Sequence, residues 1–107
     1  LAAGCSGDMG GACNVVLQCA CAAGERCVLG ADLSEECVPR GTDPIDTPCG
    51  GSVDSCVPGN QCFGTDVTDR RCRQFCYDDM DCPDGRLCES TIPGVYGYRL
   101  CGPLRAP

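Results

Sequence analysis

The sequence has no histidine, no lysine and no tryptophan, and the first two absences remove whole classes of function. Without histidine or lysine, the usual general bases of nucleophilic catalysis are missing, so we do not expect an enzyme. No Cys-x2-Cys half-site occurs either, which argues further against a zinc or iron–sulfur centre. We therefore predict a non-enzymatic protein that uses no cofactor.

Large apolar residues are also scarce. Leu, Ile, Val, Met, Phe and Tyr together number 24 in 107 residues, too few for one hydrophobic core to offset the entropy of the chain. The chain has no apolar run of about 18 residues, the length that would predict a transmembrane segment. Eight basic residues stand against 15 acidic ones, and this net charge of −7 disfavours binding to nucleic acid.

Cysteine, by contrast, is abundant, with 14 residues in 107. This density is typical of small domains in which disulfides replace a core, each contributing about 2–4 kcal/mol. Such bonds persist in oxidising compartments, so we predict an extracellular or cell-surface location. No Asn-x-Ser/Thr sequon is present, whereas Thr42 and Thr47 stand among prolines and are candidates for O-linked glycan.

The cysteines follow a repeat. A Cys-x2-Gly-x2-Cys motif occurs three times, at residues 21–27, 56–62 and 82–88, each with one more cysteine upstream and one downstream. The spacing predicts a small disulfide-rich fold: a tandem array of three four-cysteine hairpin units with little regular secondary structure. Its parts are an N-terminal segment with the first unit (1–37), a proline-rich linker (38–48), the second unit (49–72), and the third unit with the C-terminal tail (73–107).

Four cysteines allow three pairings in each unit. We prefer the pairing of first with third and second with fourth, because a central glycine turn and a hairpin would bring these residues together. The two cysteines outside the units then pair with each other. The seven predicted disulfides are Cys5–Cys19, Cys13–Cys27, Cys21–Cys37, Cys49–Cys62, Cys56–Cys72, Cys76–Cys88 and Cys82–Cys101.

Several local expectations follow from shorter stretches. Residues 32–36 carry the signal of a helical turn that begins near Asp32. Residues 95–100 are the best strand candidate, which would place Tyr96 and Tyr98 on one face. The prolines predict an extended linker, and stacking each unit on its sequence neighbours would make the array a short rod.

The third unit contains a candidate calcium loop, Asp79-x-Asp81-x2-Asp84-Gly85. Calcium loops combine acidic oxygens with a glycine at the turn. The spacing here is one residue longer than the Asp-x-Asp-x-Asp-Gly pattern, and Cys82 interrupts it. The alternative is that these carboxylates are solvated or bond local backbone amides.

Four aromatic residues are candidates for contact with a partner: Phe63, Phe75, Tyr96 and Tyr98. Aromatic side chains supply much of the contact area at binding surfaces. In a chain with so few apolar residues, the alternative is that they fill small cores beside the disulfides.

The stretch Cys76-x2-Asp79-x-Asp81-Cys82-Pro83-x-Gly85-x2-Cys88 resembles the cysteine-rich modules of Dickkopf and colipase-like proteins, and part of the whey-acidic-protein inhibitor core. The whey-acidic-protein family has an adjacent Cys-Cys pair that this chain lacks. Residues 19–24 resemble the end of an epidermal-growth-factor module. Together these resemblances imply an extracellular binding or structural module.

Two functions are compatible with this chain: we predict the first, and the second is the alternative. The first is a secreted structural protein, held by seven disulfides, whose copies assemble through exposed hairpin edges into an extracellular fibre or surface layer. The second is a monomeric extracellular binding module, such as a protease inhibitor or a protein that contacts a receptor or a carbohydrate. A monodisperse monomer at high concentration would contradict the first, and a saturable partner would support the second.

Overall fold

The computed structural model of the chain describes residues 13–49, 55–64 and 70–103. These residues form six short strands and a 3₁₀ helix, Asp79–Asp81. The strands are β1 (Glu25–Leu29), β2 (Glu35–Pro39), β3 (Asn60–Phe63), β4 (Arg71–Cys76), β5 (Cys88–Ser90) and β6 (Arg99–Cys101). The predicted class, a small disulfide-rich fold, is confirmed, and it has little helix and mostly short antiparallel strands.

The strands make two antiparallel sheets. β1 and β2 form a two-stranded hairpin, and the other four strands form one sheet in the order β3-β4-β6-β5. β4 is the strand that joins the two halves of this second sheet. It pairs with β3 along residues 71–74 and with β6 at Phe75 and Cys76.

The same local geometry occurs at each Cys-x2-Gly-x2-Cys motif. Its glycine has a φ between 77° and 88°, a left-handed conformation that glycine adopts without steric cost. The chain then enters a pair of antiparallel strands in which two cysteines lie opposite each other. These opposite pairs are Cys27 with Cys37, Cys62 with Cys72, and Cys88 with Cys101.

Six disulfides lie within the described residues: Cys13–Cys27, Cys21–Cys37, Cys49–Cys62, Cys56–Cys72, Cys76–Cys88 and Cys82–Cys101. These are the six pairs that we prefer from the cysteine spacing. Their Cα–Cα distances of 5.6–5.9 Å are ordinary for disulfides. Cys19 is also disulfide-bonded, but its predicted partner, Cys5, lies outside the described residues.

The main apolar core joins the start of the described chain to its end. It contains Cys13, Val15, Cys27, Leu29, Phe75, Ile92, Val95, Tyr98 and Leu100. Residues 13–37 therefore pack directly on residues 75–100, in addition to the contacts that each unit makes with its sequence neighbours. The chain has extents of 41 × 30 × 26 Å, so the expected rod is not found. Sparse apolar side chains bury more surface when distant segments pool them.

The proline-rich linker is tied along the second unit by backbone hydrogen bonds. The Asp43 N–H donates to the Ser55 carbonyl at 2.9 Å, and the Cys72 N–H donates to the Thr47 carbonyl at 2.9 Å. Because its first residues, Val38 and Pro39, belong to β2, the linker begins inside a strand.

The expected helical turn at residues 32–36 is wrong. Asp32 belongs to the β1–β2 turn, where the Gly30 N–H donates to the Ser34 carbonyl at 2.8 Å, and β2 begins at Glu35. The Asp32 carboxylate accepts hydrogen bonds from the Ser34 hydroxyl and N–H. These bonds lower the pKa of the Asp32 carboxyl group and favour the turn over a helix.

The expected shared face of Tyr96 and Tyr98 is also wrong. A turn closed by the Val95 N–H and the Ile92 carbonyl occupies this stretch, and β6 begins only at Arg99. The alternation of a strand therefore does not apply. Tyr98 is 3% exposed and lies in the core, whereas Tyr96 is 92% exposed.

Two glutamine side chains cover the outer edge of β1. The Gln18 side-chain amide bonds both the N–H and the carbonyl of Cys27, each at 2.9 Å. The Gln61 amide does the same to Leu29, at 2.7 and 2.8 Å. The two amides replace a neighbouring strand, so this edge is not open to another chain.

Replacing Gln61 by alanine is expected to lower the free energy of unfolding by about 2 kcal/mol, because it leaves two backbone groups of Leu29 without partners. Guanidinium denaturation with the disulfides intact measures the loss. The matched control is Gln74→Ala, since that amide bonds an exposed carbonyl, of Asp81. We expect the control variant to lower the free energy of unfolding by about 0.5 kcal/mol or less. Equal losses in the two variants would contradict this account.

Candidate functional site

Tyr77, directly after β4, is the point where three segments meet. Its hydroxyl accepts a hydrogen bond from the Asn14 side-chain amide at 2.7 Å. The side-chain oxygen of Asn14, Oδ1, accepts hydrogen bonds from the N–H groups of Val16 and Leu17. These bonds fix the turn that follows Asn14. This network holds the exposed side chain of Leu17 on a segment bonded to Tyr77.

The second segment is the acidic turn, residues 78–81. The Asp81 carboxylate accepts from the N–H groups of Tyr77 and Asp78, at 2.8 and 3.2 Å. The Asp78 carboxylate accepts in return from the Met80 N–H at 2.9 Å and from the Asp81 N–H, and the bond from Asp81 completes a capping box around the 3₁₀ helix. The turn is thereby held in one conformation with Met80 almost fully exposed.

The third segment carries Tyr96. Val95 and Tyr98 are buried on either side of it, so the backbone is anchored while the Tyr96 ring projects into solvent. Beside it lies an open groove of about 300 Å³, lined by Tyr77, Thr91, Val95, Tyr96, Gly97, Tyr98 and Arg99. The groove therefore combines aromatic surface with one exposed cation, Arg99.

We call the set Leu17, Tyr77, Met80, Tyr96 and Arg99 the Tyr77 surface. It contains the three large apolar side chains that are exposed in the described part of the chain: Leu17, Met80 and Tyr96. All three belong to segments that converge on Tyr77. Tyr77 and Tyr96 line one groove, and exposed aromatic surface at a groove is typical of interaction sites.

The candidate contact residues separate into two groups. Phe75 packs edge-to-face against Phe63 and Tyr98, with ring centroids 5.8 and 5.5 Å apart. These three rings belong to the core or its border, which agrees with the alternative that the aromatic residues fill the core. Of the four, Tyr96 is the one whose side chain is exposed. Leu17, Tyr77, Met80 and Arg99 escape sequence reasoning because their exposure depends on tertiary packing.

The candidate calcium residues already bond the backbone. The Asp79 carboxylate accepts from the Cys88 N–H at 2.8 Å, Asp81 caps the turn, and Asp84 is exposed. In the described ranges, the potential ligand groups that lie within 4.8 Å of one another are cysteine triplets in disulfides. Calcium binding by Asp79, Asp81 and Asp84 stays a prediction. So does O-glycosylation, for which Thr42 is exposed and Thr47 half-buried.

Comparisons with protein-family models, with curated proteins and with solved structures find no match for this chain. Within the described residues, none of the helical structure is long and apolar enough to cross a membrane.

Proposed function

We propose that the protein is a secreted, non-enzymatic binding module, built from three tandem four-cysteine units, that binds a basic protein partner through the Tyr77 surface. The observation that carries this proposal is Tyr96, which is 92% exposed while Val95 and Tyr98, close to it in the chain, are buried. A tyrosine on an anchored backbone loses little entropy when it binds, and tyrosine is enriched among the residues that dominate interface energies.

The charge around the surface selects the kind of partner. Asp78, Asp79 and Asp81 are all exposed on the turn that presents Met80. They outnumber Arg99, the exposed cation of the groove, and the whole chain carries −7. An acidic rim around apolar anchors favours a partner with lysine or arginine at matching positions. A second copy of this chain would bring the same acidic rim, and like charges would oppose that contact.

Assembly into a fibre or surface layer remains the alternative, but two strand edges have few free backbone groups with which another copy could pair. Gln18 and Gln61 cover the edge of β1, and the Asp79 carboxylate occupies the N–H of Cys88 in β5. Fibre growth would need contacts other than these. Sedimentation velocity at millimolar concentration, without reductant, tests it: we expect a single species with the mass of the monomer, and concentration-dependent polymers would favour the fibre.

Replacing Tyr96 by alanine is expected to weaken binding to a basic partner at least about tenfold, because the central anchor is lost. The measurement is calorimetric titration of the wild type with purified peptides of matched length that carry positive, zero or negative net charge. We expect saturable binding by the basic peptides, weakened by added salt as the acidic rim is screened.

The control variant is Thr42→Ala, which removes an exposed side chain from the linker. It should bind like the wild type. Amide chemical shifts of the wild type should move at residues 77–81 and 96–99 when the basic peptide is added. Undiminished binding by Tyr96→Ala, or equal binding of peptides of all charges, would contradict the proposal.

A further inference from the structure

A second pocket lies at β4 and the linker and has a different character. It has a volume of about 300 Å³ and is lined by Asp46, Arg71, Arg73 and Pro103. Arg71 and Arg73 are two residues apart on β4, so their side chains leave the same face of the strand. Two guanidinium groups therefore line one concave site, in a chain whose net charge is −7.

Both arginines are held by neutral acceptors. The Arg71 Nη1 donates to the backbone carbonyl of Asp46 at 3.1 Å, and the Arg73 Nε donates to the carbonyl of Phe63 at 3.3 Å. In the part of the chain that the structure describes, neither forms an ion pair with a carboxylate. Their positions are fixed, and among the described residues no carboxylate pairs with either charge. A guanidinium has five N–H donors, so most remain available to a ligand.

The Asp46 carboxylate, which lines this pocket, already pairs with another arginine. The Asp46 oxygens accept from the Arg86 guanidinium, at 2.6 Å for Nη2–Oδ2 and 3.4 Å for Nη1–Oδ1. The Arg86 side chain is only 5% exposed and also donates to the Gly102 carbonyl. Because Arg86 pairs with Asp46, the charges of Arg71 and Arg73 remain as the net charge of the pocket.

We propose that this pocket binds a tetrahedral oxyanion, a sulfate or phosphate group that accepts hydrogen bonds from both Arg71 and Arg73. Guanidinium forks match the oxygens of such groups and bond them through paired N–H donors. The overall negative charge of the chain opposes this little at physiological salt, since exposed charges farther than about 8 Å are screened. The proposal does not depend on the Tyr77 surface.

The test is a titration with sodium sulfate at constant ionic strength, followed by amide chemical shifts. We expect saturable shifts at Asp46 and along residues 71–73. Arg71→Gln and Arg73→Gln should each weaken sulfate binding about tenfold, the usual effect of losing a charge-assisted hydrogen bond. The matched control is Arg40→Gln, an exposed arginine that does not line the pocket, and it should bind as the wild type does.

Arg71→Lys keeps the positive charge but removes the paired N–H donors of the guanidinium group. It therefore tests whether paired donors are needed, even if a glutamine variant folds poorly. We expect its affinity to lie between those of wild type and Arg71→Gln. A second titration uses a sulfated disaccharide in place of sulfate. Tighter binding of the disaccharide with the same arginine dependence would identify an esterified group as the ligand, and equal binding would identify the free ion. Absence of saturation with both probes, or equal weakening by Arg40→Gln, would overturn the proposal.

Discussion

Replacing Phe75 by alanine is expected to lower the free energy of unfolding by about 4 kcal/mol. The ring is 1% exposed and packs edge-to-face between Phe63 and Tyr98, so its removal leaves a cavity in the main core. β4 also pairs with β6 at this residue, through Leu100, and the core has few other large side chains to fill the space. Guanidinium denaturation with intact disulfides measures the loss.

The matched control is Phe63→Ala. Phe63 contacts the same ring from the border of the core and is half-buried, so its removal should cost about 1–2 kcal/mol. Similar losses for both variants would contradict the central position that we assign to Phe75.

The core prediction also bears on function. Phe75 supports Tyr98, which lines the groove beside Tyr96. The Phe75→Ala variant should therefore bind a basic peptide more weakly even under conditions in which it is folded. The Phe63→Ala variant should not, since Phe63 does not line that groove.

Removing the Cys82–Cys101 disulfide, by replacing both cysteines with alanine, is expected to cost about 3 kcal/mol. The bond closes a loop with a sequence separation of 19, and its loss lets the unfolded chain expand. The bond also ties the residue after the acidic turn to the end of β6. We therefore expect both a lower denaturation midpoint and weaker binding of the basic peptide.

The control for this change is removal of Cys56–Cys72, a bond of similar sequence separation, 16. Both of its cysteines are fully buried in a separate cluster with Cys49. The stability loss should be comparable, because the loop lengths are similar. Binding at the Tyr77 surface should remain. If both variants lose binding to the same extent, the effect is global and the acidic turn has no special part in recognition.

Local features of this protein could be predicted from the sequence because short loops constrain them. The six disulfides within the described residues join cysteines only 12–19 positions apart. Closing such loops costs little entropy, and a glycine at the centre of each motif supplies the left-handed turn that brings the cysteines together. The disulfide-rich class and the pairing that we prefer are both properties of this local spacing.

Turns that depend on competing side-chain bonds were harder to predict. Asp32 lies in a hairpin turn instead of a helical one, because its carboxylate bonds Ser34. Tyr96 and Tyr98 differ in exposure, because the turn after Ile92 ends the alternation of a strand before β6 begins. In both cases a local bond outweighed the propensity of the residues around it.

The candidate sites were decided by tertiary structure alone. Tyr77 meets Asn14 across 63 positions of sequence, and Arg86 meets Asp46 across 40. No local rule specifies such contacts. The first contact follows from the shared core: residues 13–37 pack on residues 75–100, because a chain with few apolar residues buries more surface when distant segments pool them. The cysteine spacing determined the local disulfide pairs, because their loops are short, and the shared core determined which aromatic side chains are buried and that Tyr96 is exposed.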